Sequence, residues 1–409
     1  MIHIHPFPAR MSPDVALEGL ESLPSDSVVL DPMSGSGMVL GTAAKLGLTS
    51  IGYDLDPLAH MISRTNGTYV NDRKVQDACD DLLSRCHSFC SSSVFLPWID
   101  DNNETQRYID FWFAPKQQAQ LRVLSHFLVA DPFISDRKVV DILKVAVSRL
   151  IVTKEPKASL ARDTAHSRPH RTITENNFDI YKALPGSLKH VLSALQADRI
   201  KTDVKIHRGD ARKMEHIHDC SVDCIVTSPP YLNAIDYMRG HRLSLVWFGF
   251  SVPVLREIRA RSVGAEIAEN CQIDKEFGDF LSALHPCVDD TKRRVLRRYC
   301  HDLCKLTDEA FRVLRPGRKA TYVIGNSTIK GQKIRNSDFL ISAAKRSGFG
   351  VCEQTVRDIP ENRRYMPLLN SGKSDLAKRM RTEHVLVFKK IAPQIREKPL
   401  RRPWKSPAM

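Results

Sequence analysis

Apolar positions between residues 28 and 65 fall into two short runs, each followed by a turn and then by apolar positions at helical spacing. SVVLDP, MSGSG and MVLGTAAKLGL read as strand, glycine turn and helix, and TSIGYD with LDPLAHMISRT reads as a second strand, turn and helix. A βαβ unit with a further helix predicts a parallel sheet. From about residue 71 to 200 the period changes. Amphipathic stretches such as KVQDACDDLLSRCHSF and RKVVDILKVAVSRLIV alternate with polar loops, which predicts a mostly helical insertion between a first part at 1–70 and a second part at 201–390. Strand rhythm returns at TDVKIHRGDA and SVDCIVTSPPY, and a helical stretch follows at 237–300. In DDTKRRVLRRYCHDLCKLTDEAFRVLRPG the apolar residues Val295, Leu296, Tyr299, Leu303, Leu306, Phe311 and Leu314 form one stripe, closed by a Pro-Gly stop. ATYVIGNS, DFLISAAKRSGF, VCEQTVRDI and EHVLVFKK then read as strand, helix, strand and strand, and the Pro-rich basic residues 391–409 as a flexible tail. No internal repeat is visible.

The composition narrows the class of partner. With 409 residues and 42% hydrophobic content the chain can bury a sizeable core, and 61 Lys+Arg against 47 Asp+Glu give a net charge of +14, which suits a polyanion. There is no run of about 18 apolar residues and no signal-peptide pattern, so a cytoplasmic protein is expected. The ten cysteines are scattered. Three pairs sit four apart (Cys86/Cys90, Cys220/Cys224, Cys300/Cys304), but no companion Cys/His pair has zinc-site spacing, and no metal site is expected.

The glycine turn supplies the first chemistry. Asp31, Pro32, Ser34, Gly35, Ser36 and Gly37 lie where a strand passes into a helix, and glycines there let the backbone come close to a ligand. The next glycine is Gly41, so the spacing is not G-x-G-x-x-G, and no G-K-[ST] follows to hold a triphosphate. Asp54 and Asp56 end the next strand about 20 residues on, where a carboxylate meets a ribose diol, and Asp210 with Ala211 ends the third, where a carboxylate accepts from an adenine amine. Together these strand ends predict an adenosyl pocket.

The turn Ser228-Pro229-Pro230-Tyr231 supplies the second. Two prolines fix φ and remove two donors, leaving rigid carbonyl acceptors beside an aromatic ring. DPMSGSG, GYDLDP, GDAR and TSPPY together resemble the amino-methyltransferases of DNA, which use S-adenosylmethionine, over roughly residues 1–65, 203–247 and 310–390. The resemblance implies an α/β, Rossmann-like methyltransferase fold with a mostly parallel seven-stranded sheet and a helical insertion. It implies that HPFPAR, with Phe7, Pro8, Ala9 and Arg10, helps to hold the methionine part of the cofactor, and that [DNS]-P-P-[YF] is the catalytic motif. The serine form is commoner among enzymes acting on N4 of cytosine and the aspartate form among those acting on N6 of adenine. The cofactor half precedes the catalytic half, whereas many cytosine-N4 enzymes have the halves exchanged, so adenine-N6 stays open as the alternative, and guanine-N2 methylation of RNA as a third. The expected partner is double-stranded DNA, and the family adds a bacterial or phage setting with a cognate restriction nuclease. A cysteine nucleophile for C5 methylation needs a Pro-Cys in this turn, and there is none.

Candidate nucleic-acid contacts lie in three places. Arg239 and Arg242 follow the catalytic turn, Arg168 and Arg171 sit in the loop ARDTAHSRPHRT, and Arg363 and Arg364 lie in ENRRYMP. Arg293, Arg294, Arg297 and Arg298 are expected on a solvated face of the long helix.

Overall fold

The computed structural model describes residues 3–8, 11–197, 200–202, 204–232, 236–265, 267, 271–273, 275–282, 288–329, 332–359 and 382–391. The main sheet is built from β1 (Val28–Asp31), β2 (Thr49–Asp54), β3 (Val204–Arg208), β4 (Val222–Thr227), β5 (Leu314–Ile324), β6 (Phe349–Asp358) and β7 (Thr382–Lys390). They lie side by side as β6-β7-β5-β4-β1-β2-β3. All neighbours from β5 to β3 are parallel, and β7 runs antiparallel to both β5 and β6. The expected seven-stranded, mostly parallel sheet of a Rossmann-like methyltransferase fold is therefore present.

Every residue of β4 is buried, as a strand covered on both faces requires, which is why VDCIVT shows no alternation. From β1 the chain builds outward through β2 to β3, then returns to lay β4 on the opposite side of β1. This reversal sets β1 and β4 side by side with diverging connections, and the crevice beyond their carboxyl ends is where such sheets bind ligands. It brings the turn after Asp31 next to the turn after Thr227, 196 positions apart in sequence.

Helices cover both faces. α1 (Pro13–Leu20) and α2 (Met38–Leu46) pack on Val29, Cys224 and Val226. The opposite face holds the 24-residue helix that follows β4, and that helix keeps the apolar stripe read from its sequence. Its end departs from expectation. The helix stops at Val313, and β5 starts at Leu314, so Pro316-Gly317 lies within a strand. Gly317 has φ 79°, and the register against β4 jumps from Val222↔Leu314 to Cys224↔Lys319, so the pair makes a bulge, a setting that tolerates both residues.

The insertion is helical, with α3 (Pro57–Asn66) leading into α4 (Asp72–Ser88), α5 (Asn103–Trp112), α6 (Pro115–Ser125), α7 (Arg137–Ile151) and α8 (Ile180–Ala197). It shares one apolar core with α9 (Tyr237–Leu245) and α10 (Val252–Arg261), the helices that follow the catalytic turn. Trp247 meets Phe113 edge-on at 5.2 Å, and Ser148 bonds Ser244 at 2.8 Å. The chain continues through α11 (Lys275–Ser282), α12 (Asp290–Val313) and α13 (Asn336–Arg346). No helix among the described residues is long and apolar enough to cross a membrane.

A short hairpin, Ala161–Arg162 with His170–Arg171, carries the turn that seats the insertion on α9. A Cβ on Gly240 would lie 2.4 Å from the Thr164 carbonyl, so only glycine allows this approach. Gly240→Ala is expected to lower stability by about 1–3 kcal/mol through overpacking against backbone, read as a lower urea midpoint.

Candidate active site

The glycine turn is shaped by its neighbours. Gly35 (φ 50°) and Gly37 (φ 76°) adopt left-handed conformations, and a Cβ on Gly37 would meet Ser63 Cα at 3.0 Å. Gly35 N–H donates to Asp54 Oδ2 at 2.8 Å, and Ser34 N–H donates to the Tyr53 carbonyl at 2.9 Å, so the end of β2 holds the turn open. Ser63 donates to the Gly35 carbonyl at 2.9 Å and lies 3.2 Å from Ser34 Oγ, while Asn66 donates to the Ser36 carbonyl at 3.4 Å. Phe7 is buried with its ring 3.3 Å from where a Gly35 Cβ would stand, and Pro8 beside it and Pro32 in the turn are buried too. Ala9 and Arg10 lie outside the described residues.

Three carboxylates follow, and the structure separates their roles. Asp54 accepts from the Gly35 and Asp56 amides. Burial, reinforced by the Asp56 carboxylate, raises it from 3.8 to about 7. Asp31 accepts from Thr227 Oγ1 at 2.7 Å and from the Met33 amide at 3.1 Å, and burial raises it to about 7 as well. Asp56 departs from the expectation that it faces a ribose. Its Oδ1 caps α3 by accepting from the Leu58 and Ala59 amides, and its Oδ2 is 2.6 Å from His241 Nδ1. Both carboxylates thus have each oxygen engaged, Asp54 by the Gly35 and Asp56 amides and Asp56 by the α3 amides and His241, and only Asp54 bonds the glycine turn itself.

The raised pKa values have a sign. A carboxyl whose folded value lies above its unfolded one contributes stability that is complete below about pH 4 and lost as pH rises through about 7. The unliganded protein is expected to melt higher at pH 5.5 than Asp31 and Asp54 allow at pH 8. Asp54→Asn should flatten that dependence in a series of melting curves.

At the third strand end Asp210 is gripped by its own neighbour: Arg212 Nε and Nη2 reach its two oxygens at 2.9 and 2.7 Å. Arg212 continues to buried Asp302 on α12, which ties this corner to the helix behind the catalytic turn. Burial alone raises the Asp210 carboxyl, but Arg212 holds it below its ordinary value, so it stays ionised as an acceptor. Ala211 is buried in the core.

β4 ends at the SPPY turn. Ser228 Oγ donates to the Val323 carbonyl of β5 at 3.0 Å, which uses its proton and leaves its lone pairs as acceptors. Tyr299, 1% exposed on α12, donates to the Pro230 carbonyl at 3.2 Å and fixes the turn from below. Pro229 is buried, and Tyr231 is half-buried with its hydroxyl 3.5 Å from Glu383 Oε2. Sequence reading placed Tyr299 only in the apolar stripe, although a tyrosine there needs a partner for its hydroxyl. It also missed the latch between the halves. Phe7 stacks on Tyr237 at 5.1 Å and lies 5.4 Å from His241, which is 1% exposed and holds Asp56. Nothing in the local sequence marks His241 for that contact.

The proposed mouth residues divide. Arg239 is exposed and pairs with Asp236 at 3.1 Å; half-buried Arg168 lies close enough that burial and Arg239 together lower its pKa. Arg171 is exposed at the same hairpin, 5.3 Å over the Phe111 ring. Arg242 needs correction: its guanidinium lies over the Tyr108 ring at 5.2 Å and its Nε is buried, so it packs α9 against the insertion. Arg298 likewise leaves the solvated face, being buried against Asp302 and the Ala260 carbonyl. Arg363 and Arg364 lie outside the described residues.

No family model matches the chain. The type II methyltransferase M.MvaI of Kocuria varians is 23% identical over 436 aligned residues, covering 94% of this chain and 90% of that protein. The chain is similar to type II methyltransferases. M.AvaI of Nostoc sp. is 22% identical, covering 79% of this chain and 73% of its own, and M.BsoBI of Geobacillus stearothermophilus is 23% identical, covering 64% and 55%. A SAM-dependent methyltransferase structure from Methanosarcina mazei aligns over 94% of this chain at 9% identity with a TM-score of 0.34; the strand order establishes the fold.

Proposed function

We propose that this chain is an S-adenosylmethionine-dependent DNA methyltransferase that acts on the exocyclic N4 amine of a flipped-out cytosine. The observation that carries the reading is the direct bond from Thr227 to Asp31, which joins the glycine turn and the SPPY turn across one crevice. The residues fit the cofactor: left-handed glycines at a strand end, an acidic Asp54 at the next and an ionised Asp210 at the third. Gly35 and Gly37 would admit it closely, Asp54 would accept from its ribose diol, Asp210 from its adenine amine, and Phe7 would close the methionine end. When bound, it supplies an electrophilic methyl group on sulfonium sulfur.

An amine conjugated to its ring is a poor nucleophile because its lone pair is delocalised. Ser228 Oγ and the Pro229 carbonyl would accept its two N–H bonds and draw the nitrogen toward tetrahedral geometry, freeing the lone pair. Tyr231 would stack on the base, which leaves the duplex to reach the pocket. The two prolines and the Tyr299 clamp hold these acceptors still, so positioning and electrostatics carry the rate. Arg168 and Arg239 would take backbone phosphates beside the flipped nucleotide. The M.MvaI, M.AvaI and M.BsoBI names support a type II restriction-modification role with a cognate nuclease.

The test is transfer of labelled methyl from S-adenosylmethionine to unmethylated plasmid DNA, with product nucleosides separated by mass. N4-methylcytosine is the expected product. N6-methyladenine would keep the mechanism and change the base, and label only in RNA would overturn the DNA assignment.

A further inference from the structure

At the carboxyl edge of the sheet, one residue beyond the His384↔Ile324 pair, Glu383 stands near the start of β7, after Thr382. It is the second residue of that strand, and its carboxylate is buried, with only 9% of the residue exposed. Its partner directly across β6 is Arg357, whose Nε lies 2.5 Å from Oε1, so a charge-assisted bond fixes the carboxylate. The other oxygen, Oε2, lies 3.5 Å from the Tyr231 hydroxyl. The phenol tip of Tyr231 therefore lies between Ser228 of its own turn and Glu383 of β7, at a long 3.5 Å from the latter, while its backbone is held by the turn that Tyr299 clamps.

A buried carboxylate needs a compensating partner, and Arg357 supplies it. Packing alone would be served as well by an apolar residue at this place, because replacing a buried ion pair with apolar groups is often neutral. Glu383 makes a second contact, and that contact is to an aromatic ring of the catalytic turn. A tyrosine ring can turn about χ1 and χ2, and each rotamer presents a different plane. Anchoring the hydroxyl removes that freedom before a base arrives, which is the preorganisation that a positioned reaction needs.

We propose that Glu383, fixed by Arg357, is a positioning residue that sets the plane of the Tyr231 ring against the target base. This rests on the methyltransferase reading above. The role belongs to this chain's last two strands, which lie far from the catalytic turn in sequence.

The test is a double-mutant cycle of Glu383→Ala and Tyr231→Phe, read as kcat on plasmid DNA, as the dissociation constant for S-adenosylmethionine and as urea midpoints. Each single change is expected to lower kcat about tenfold, the loss of one hydrogen bond to a charged group, and the double no further. Cofactor affinity should stay within about twofold in all four proteins. Glu383→Gln, which keeps an acceptor for the hydroxyl, should recover kcat to within about threefold of wild type. Losses that multiply to about a hundredfold in the double, or coupling confined to the urea midpoints, would overturn the proposal. A wild type that methylates no nucleic acid fails the functional reading instead, and the first assay separates the two.

Discussion

Ser228→Ala lowers kcat by at least about 10²–10³ while S-adenosylmethionine binds within about twofold of wild type. The expectation follows from where the hydroxyl sits. Its proton is given to the Val323 carbonyl, so on the proposed reading the oxygen would meet the amine as an acceptor already oriented by β5. Alanine removes that acceptor and leaves one carbonyl to hold an amine with two hydrogens. Gly35, Gly37 and Asp54, the residues proposed to hold the cofactor, are untouched, so affinity should be spared. Loss of the bond to Val323 costs about 1 kcal/mol of stability, too little to unfold the protein. Ser228→Asn restores an acceptor and should recover part of the rate. Single-turnover transfer with saturating cofactor is the measurement; a Ser228→Ala protein within tenfold of wild type would remove the serine from the mechanism.

The second large effect belongs to Asp54→Ala, which is expected to weaken S-adenosylmethionine binding by about 10²-fold or more, since two hydrogen bonds to a charged group contribute about 1.5–3 kcal/mol each. The same substitution leaves the Gly35 and Asp56 amides without their acceptor, so the glycine turn loses its brace as the diol loses its partner. Titration calorimetry reads the affinity directly. Asp56→Ala is the informative contrast. It deletes the α3 cap, about 1 kcal/mol, and the His241 contact, so its main cost is stability with a smaller change in affinity. Equal losses of affinity in the two variants would contradict the division of roles.

The motifs were legible because their chemistry is local. A glycine turn between a strand and a helix, and a proline-stiffened turn at a strand end, are properties of a few consecutive residues, and both stand where they were read. Asp54 and Asp56 were not distinguishable from sequence, because either could face a ribose. The structure shows where each points: Asp56 to His241, 185 residues away, and to the α3 amides, and Asp54 to the glycine turn. Arg242, read as a nucleic-acid contact, and Arg298, read on a solvated face, sit differently for a related reason. Charge is visible in sequence, but burial against Tyr108 or Asp302 is not. The Pro-Gly after α12 does follow the helix end at Val313, but that the same pair also serves a strand bulge is shown only by the register against β4.

By itself the sequence determined the class of sheet, the positions of the two turns and the acidic strand ends, since periodicity and turn chemistry act over one or two turns of chain. The tertiary structure decided which of these meet. The reversal of strand order between β1 and β4 places Asp31 against Thr227, the Gly240 seat places the Thr164 turn against α9, and β7 brings Glu383 to Tyr231. Each contact joins segments whose separation along the chain carries no local signal, and their free energy is gained only once the sheet has closed.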